Sequence, residues 1–111
     1  MTTRYSRRPE DVAAARAFLL TTLDRPDDQL PRYGEVAAAI GGIARAVAPV
    51  LNSVARQCEE RGEPDLSAVV VLSGTGLPGM LDGRPVDPGG PRARTSWQSE
   101  LGRIRAYPWR D

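Results

Sequence analysis

The sequence contains neither lysine nor histidine; all fifteen of its basic residues are arginine. The missing lysine excludes a Walker-type phosphate loop, a Schiff-base amine and the lysine of common restriction-nuclease cores. The missing histidine excludes Ser-His-Asp and Cys-His relays, an HNH-type nuclease centre and every zinc site with a histidine ligand. A single cysteine, Cys58, makes neither an internal disulfide nor a thiolate metal cage. No apolar run approaches the roughly eighteen residues of a membrane span, and no signal-peptide pattern opens the chain. The expectation is a cytoplasmic protein with no catalytic residue, no metal, no cofactor and no membrane partner.

The 111 residues fit one domain with one modest core, and 41% hydrophobic with 26% charged residues is ordinary for a globular chain. The absence of lysine beside abundant alanine and arginine is the composition a GC-rich genome produces. Charge is uneven although the net is only +1: residues 1–8 carry +3, residues 9–83 carry −5 and residues 84–111 carry +3. Basic ends are either a nucleic-acid footprint or solvated termini. Residues 1–8 are read as a basic arm ahead of a domain spanning 9–111.

Pro9 with Glu10 and Asp11 predicts the start of a helix. Val12, Ala15, Leu19 and Leu23 form its apolar stripe, and Arg25-Pro26-Asp27-Asp28 ends it. A short helix is expected over Tyr33 to Ile40, broken by Gly41-Gly42. A longer one follows from Ile43 or Ala44 to Glu60, with Val47, Leu51, Val54 and Cys58 on one stripe. Cys58 is therefore read as a small core residue. Pro49 either kinks this helix or marks the start of its well-formed part.

Leu66 to Ser73 predicts a strand by its β-branched run. Residues 74–94, with six glycines and four prolines, predict a loop in which Asp82-Gly83 turns a hairpin. The last helix is expected from Ser96 to Ala106, with Thr95 and Gln98 as a capping box and Trp97, Leu101 and Ile104 inward. The fold class is thus α+β: a mostly helical winged helix-turn-helix with a short strand or hairpin wing and a C-terminal helix.

Two motifs carry less than their letters suggest. Gly74-Thr75-Gly76-Leu77-Pro78-Gly79 spells a dinucleotide fingerprint, but Pro78, Gly79, Gly83 and Pro85 forbid the helix that must open there to hold a pyrophosphate. A tight glycine loop is expected instead. The neighbours Asp27-Asp28 and Glu59-Glu60 do not converge on a ligand and are read as solvated surface.

The segment from Arg32 to Val47 has more specific content. It supplies a short positioning helix, a glycine turn and a longer helix whose first turn carries Arg45, where a recognition helix meets phosphates or base edges. The structural alternative is that Tyr33 caps the core and Arg45 solvates a helix start. Tyr33-Gly34-Glu35-Val36-Ala37 followed by Ala44-Arg45-Ala46-Val47 resembles the winged helix-turn-helix of the DNA alkyltransferases and alkyltransferase-like proteins. The resemblance implies that Tyr33 helps rotate a nucleotide and Arg45 fills the gap left behind. The family's proline-cysteine-histidine-arginine motif is absent, with Leu72-Ser73-Gly74-Thr75 in its place, so the resemblance implies DNA binding without alkyl transfer. Val69 to Gly79, together with Arg105-Ala106-Tyr107-Pro108-Trp109, is also similar to small bacterial modules that accompany nucleases in phage defence.

These observations predict a non-catalytic protein that binds double-stranded DNA, sensing it or serving a nuclease, defence or regulatory system. Its expected contacts are Arg32, Tyr33, Arg45 and Asn52, with Arg84, Arg92 and Arg94 as a wing. The competing expectation is a protein-interaction module that kept the fold and docks a partner such as a nuclease, or a second copy of itself. The acidic middle and the two tryptophans favour it.

Overall fold

The computed structural model describes residues 9–42, 47–81 and 84–110. Among these residues the chain is mostly helical, with four α-helices and one short β-hairpin. Helix α1 spans Pro9–Leu20 and opens on Glu10 and Asp11 as expected. It ends earlier than its apolar stripe suggests, because Thr21 and Thr22 turn their hydroxyls onto the carbonyls of Phe18 (2.6 Å) and Leu19 (2.7 Å). Those bonds satisfy carbonyls left open by the last turn. Leu23 still packs on the core, from the turn that follows.

Helix α2 spans Tyr33–Ile40. Gly41 closes it in the left-handed conformation at φ 71°, and Gly42 N–H reaches Ala37 O at 2.9 Å. A side chain at Gly41 would be strained in that conformation. Helix α3 spans Val47–Arg61 and buries Val47, Val50, Leu51, Val54 and Cys58 on one stripe. Pro49 is the third residue of this span. The expected residues 43–46 of this helix, Arg45 among them, lie outside the described residues, as does the basic arm 1–8.

The predicted strand at 66–73 is corrected. Asp65 accepts from the backbone N–H and the hydroxyl of Ser67 (3.1 and 2.6 Å), which winds Leu66–Val69 into a 3-10 turn. Only Val70 and Val71 continue extended, and Val71 makes one isolated parallel bridge to Arg32. The β-branched run is apolar because it is buried among α1, α3 and the last helix, not because it pairs in a sheet.

The glycine loop behaves as its composition requires. Gly76 is left-handed at φ 69°, with its N–H bonded to Leu72 O, and no helix opens there. The strands β1 (Met80–Leu81) and β2 (Arg84–Pro85) pair antiparallel on either side of positions 82–83. Helix α4 spans Ala93–Ala106. The capping box at Thr95 and Gln98 is corrected: the turn at Gly90 and Pro91 starts the helix two residues before Thr95, and Gln98 donates instead to Asp27 at 2.9 Å.

Trp97, fully buried, donates its indole N–H to Ala68 O at 2.9 Å and pins α4 to the 3-10 turn. No helix among the described residues is long and apolar enough to cross a membrane.

Candidate nucleic-acid interface

Helix α3 presents a polar face opposite its buried stripe. Ala48, Asn52, Arg56 and Glu59 recur along it and are all exposed. Asn52 and Arg56 are one turn apart, on the same side as helical spacing requires. The acidic pair Glu59-Glu60 stands at the C-terminal end, three residues beyond Arg56, and residues 47–54 carry no charged side chain.

Helix α4 runs beside this face and has two exposed flanks. Ser96, Ser99, Arg103 and Ala106 follow one another at helical spacing on the first. Arg94, Gln98 and Arg105 lie on the second, across the buried stripe of Trp97, Leu101 and Ile104. The second flank is tied inward. Arg105 makes an ion pair with Asp27 at 2.8 Å, and Arg94 stands over the Trp97 ring at 5.9 Å. Hydrogen bonds from Gln98 and then Arg105 hold the Asp27 carboxyl below its ordinary pKa.

Arg103 and Ala106 of the first flank face α3 across a groove of about 930 Å³, whose walls also include Asn52, Arg56, Tyr107 and the carboxylate residues Glu59, Glu63, Asp65 and Glu100. Its base is built from buried ions that are already paired. Glu100 is only 4% exposed, accepts the Asp65 N–H at 2.9 Å and holds Arg103 by a short ion pair. That carboxylate steadies a guanidinium whose side chain remains mostly exposed toward the groove.

Arg16, 5% exposed, makes a bidentate pair with Glu63 at 2.9 Å on both oxygens. It also donates to Arg110 O at 2.8 Å and lies over the Trp109 ring at 5.4 Å. The hydrogen bond to Glu63 raises the Arg16 pKa, and the same bond lowers that of Glu63. Cys58 lies against this pair, fully buried, with its thiol pKa raised by desolvation. A buried thiol so placed is a packing group, as its stripe predicts.

The structure therefore divides the residues expected to meet DNA. Asn52 stands on the open face of α3. Arg92 caps the start of α4 beside the hairpin, in a second groove of about 710 Å³ with Leu81, Pro85 and Ser96. Arg84 lies on β2, paired with Leu81. Arg94 is on the far flank of α4 and is not brought together with Asn52.

Arg32 is half-exposed and donates to Leu30 O at 2.7 Å. Tyr33 is half-buried, its phenol pKa raised by burial, and its hydroxyl lies 3.4 Å from where a Cβ on Gly79 would stand. It sits as a cap under the glycine loop. Arg45 lies outside the described residues.

Sequence reasoning missed Arg56 and Arg103. Arg56 was legible, since it follows Asn52 by one turn on the polar side of the stripe. Arg103 was not, because it comes opposite α3 only through the packing of both helices on the 3-10 turn Leu66–Val69. Among the described residues, no three Cys, Asp or Glu side chains cluster closely enough to hold a metal ion. Comparison of the chain with family models, with curated proteins and with solved structures gives no match.

Proposed function

We propose that this chain is a non-catalytic protein that binds double-stranded DNA through a winged helix-turn-helix. In this reading α2, the Gly41 turn and α3 are the helix-turn-helix, and β1-β2 is the wing. The observation that carries it is that Asn52 and Arg56 are exposed one turn apart on the polar side of α3, a helix whose other side is buried in the core. Recognition helices meet DNA with their N-terminal half, where the helix dipole is positive. Asn52 lies in that half of α3, while Arg56 lies in the C-terminal half, three residues before Glu59.

Arg103, oriented by Glu100, meets the phosphate backbone from the flank of α4, with Arg92 and Arg84 on the hairpin side. Arg94 takes no part, and Tyr33 serves the fold. With a net charge of only +1, non-specific affinity is modest and strongly salt-dependent.

Fluorescence anisotropy of a mixed-sequence duplex at two salt concentrations tests this. Wild type binds more weakly as salt rises, and Arg56→Ala with Asn52→Ala loses about tenfold or more in affinity. Arg103→Gln, which keeps a hydrogen bond for Glu100, lowers the salt slope by about 0.9. Arg94→Ala binds as wild type. Equal affinity in all four proteins, or no binding at low salt by a folded chain, overturns the proposal.

A second reading has its own support in Leu72 and Met80, 39% and 44% exposed. The Leu72 side chain and the Tyr33 hydroxyl both border Gly79, next to Met80. An apolar patch of this kind at the foot of the hairpin suits a protein partner. Stable co-purification of a partner, lost in Leu72→Ser with Met80→Ser, is the outcome that selects it.

A further inference from the structure

We infer that Tyr107 to Arg110, the segment that leaves α4, is a strap that opens as a unit while the rest of the chain stays folded. Its opening uncovers the Arg16–Glu63 pair and Cys58 and deepens the groove between α3 and α4. The inference stands apart from the DNA-binding reading.

The strap is held on two sides. Trp109 folds back on its own helix, donating its indole N–H to Ile104 O at 2.7 Å, with Tyr107 edge-on to its ring at 4.8 Å. Beyond α4, the polar contacts of residues 107–110 with the described residues converge on Arg16. Its guanidinium donates to Arg110 O at 2.8 Å and lies over the Trp109 ring at 5.4 Å. Tyr107 and Trp109 are half-buried, whereas Pro108 and Arg110 are exposed. A short segment held by so few contacts opens at far less cost than a core element.

What the strap covers lowers that cost further. Arg16 keeps its bidentate pair with Glu63 when the strap departs, so no charge is stranded. The Arg16 Nε is buried with no hydrogen-bond partner among the described residues, and water admitted by opening supplies one. Opening also rehydrates two ions that are costly to keep dry. Tyr107 and Pro108 line the groove together with Cys58 and Glu63, so their withdrawal extends it to the thiol and the pair.

The two tryptophans give the test an internal standard. Both indole N–H groups are hydrogen-bonded, Trp109 to Ile104 O in the strap and Trp97 to Ala68 O in the core. Their hydrogen exchange is followed by NMR at rising urea, below the unfolding transition. In parallel, Cys58, the one cysteine of the sequence, is labelled with an aromatic disulfide reagent that reports its exposure. The Trp109 N–H and Cys58 are expected to open with one constant, nearly independent of urea and about 100-fold or more larger than that of the Trp97 N–H.

Two variants locate the opening. Trp109→Phe loses the bond to Ile104 O but keeps a ring over Arg16, and raises Cys58 labelling by about 2- to 12-fold. Val36→Ala weakens the core at α2, far from the strap in sequence. It speeds Trp97 exchange by about tenfold or more and leaves Cys58 labelling unchanged. Cys58 labelling that follows the Trp97 N–H in its urea dependence, or that rises with it in Val36→Ala, overturns the inference. Labelling that Trp109→Phe does not move overturns it as well.

Discussion

Arg16 shows what one residue settles in this chain. It stands on the buried side of α1, and a guanidinium there is tolerable only because Glu63, Arg110 O and Trp109 surround it. Removing one partner of a buried ion pair leaves the other charged and unpaired, at a cost of about 3–5 kcal/mol. Arg16→Met is therefore expected to lower stability by that amount in a urea titration. Arg16→Met with Glu63→Leu is expected to recover most of the loss, since an apolar pair removes the stranded charge.

The same bond makes stability pH-dependent. Because Arg16 lowers the folded-state pKa of Glu63, the pair's contribution is fully present above the unfolded glutamate value of about 4.3. It is lost as pH falls through the lower folded value. Wild type should therefore show a steeper acid-side loss of stability than the Met/Leu double variant, measured by urea titration at successive pH values; parallel curves would contradict it. None of this was legible in the sequence. Arg16 lies in an alanine-rich stretch with no feature to mark it, and its partner comes 47 residues later.

At the scale of elements, local signals were read well where a backbone rule decides and badly where tertiary partners decide. Gly41-Gly42 ends α2 because only glycine takes φ 71° cheaply, and the sequence alone says so. Gly41→Ala is expected to cost about 1–2 kcal/mol, checked by the shift in the denaturation midpoint. No shift would mean that the left-handed cap does not hold the turn between α2 and α3.

The hairpin was legible from the aspartate-glycine pair expected to turn it: β1 and β2 pair antiparallel on either side of positions 82–83. The strand at 66–73 was misread because a β-branched run reports burial as readily as pairing. Asp65 then decides in favour of a 3-10 turn, through two bonds to Ser67. The capping box failed in the same way: Gln98 has the right spacing from Thr95 but finds Asp27, 71 residues away in the chain.

At the scale of the molecule, the packing of both α3 and α4 on the 3-10 turn Leu66–Val69 determines which arginines share a surface. Charge along the chain pointed to the ends as basic, and that much was legible. It did not show that Arg94 and Arg105 turn toward Asp27 while Arg103 turns to the groove. That partition follows from which stripe of α4 carries Trp97, Leu101 and Ile104 inward.

The C-terminal segment closes against the body through Trp109, which donates to Ile104 O at 2.7 Å and lies edge-on to Tyr107. The radius of gyration is 13.1 Å, close to the value of about 13 Å for a compact chain of this length. The groove between α3 and α4 has a floor of buried, paired side chains, Glu63 with Arg16 and Glu100 with the Asp65 N–H.

The central claim is that the polar side of α3, flanked by Arg103 and by the hairpin side of α4, meets DNA. Amide chemical-shift mapping of the isotopically labelled protein, titrated with a duplex at low salt, tests it most directly. The account predicts that the shifted amides concentrate on residues 48–56 of α3, with a second group around Arg103 of α4 and a third beside Arg92 at the hairpin side. Shifts confined to Leu72, Met80 and the glycine loop, or spread over the Arg94 and Arg105 flank, would contradict it.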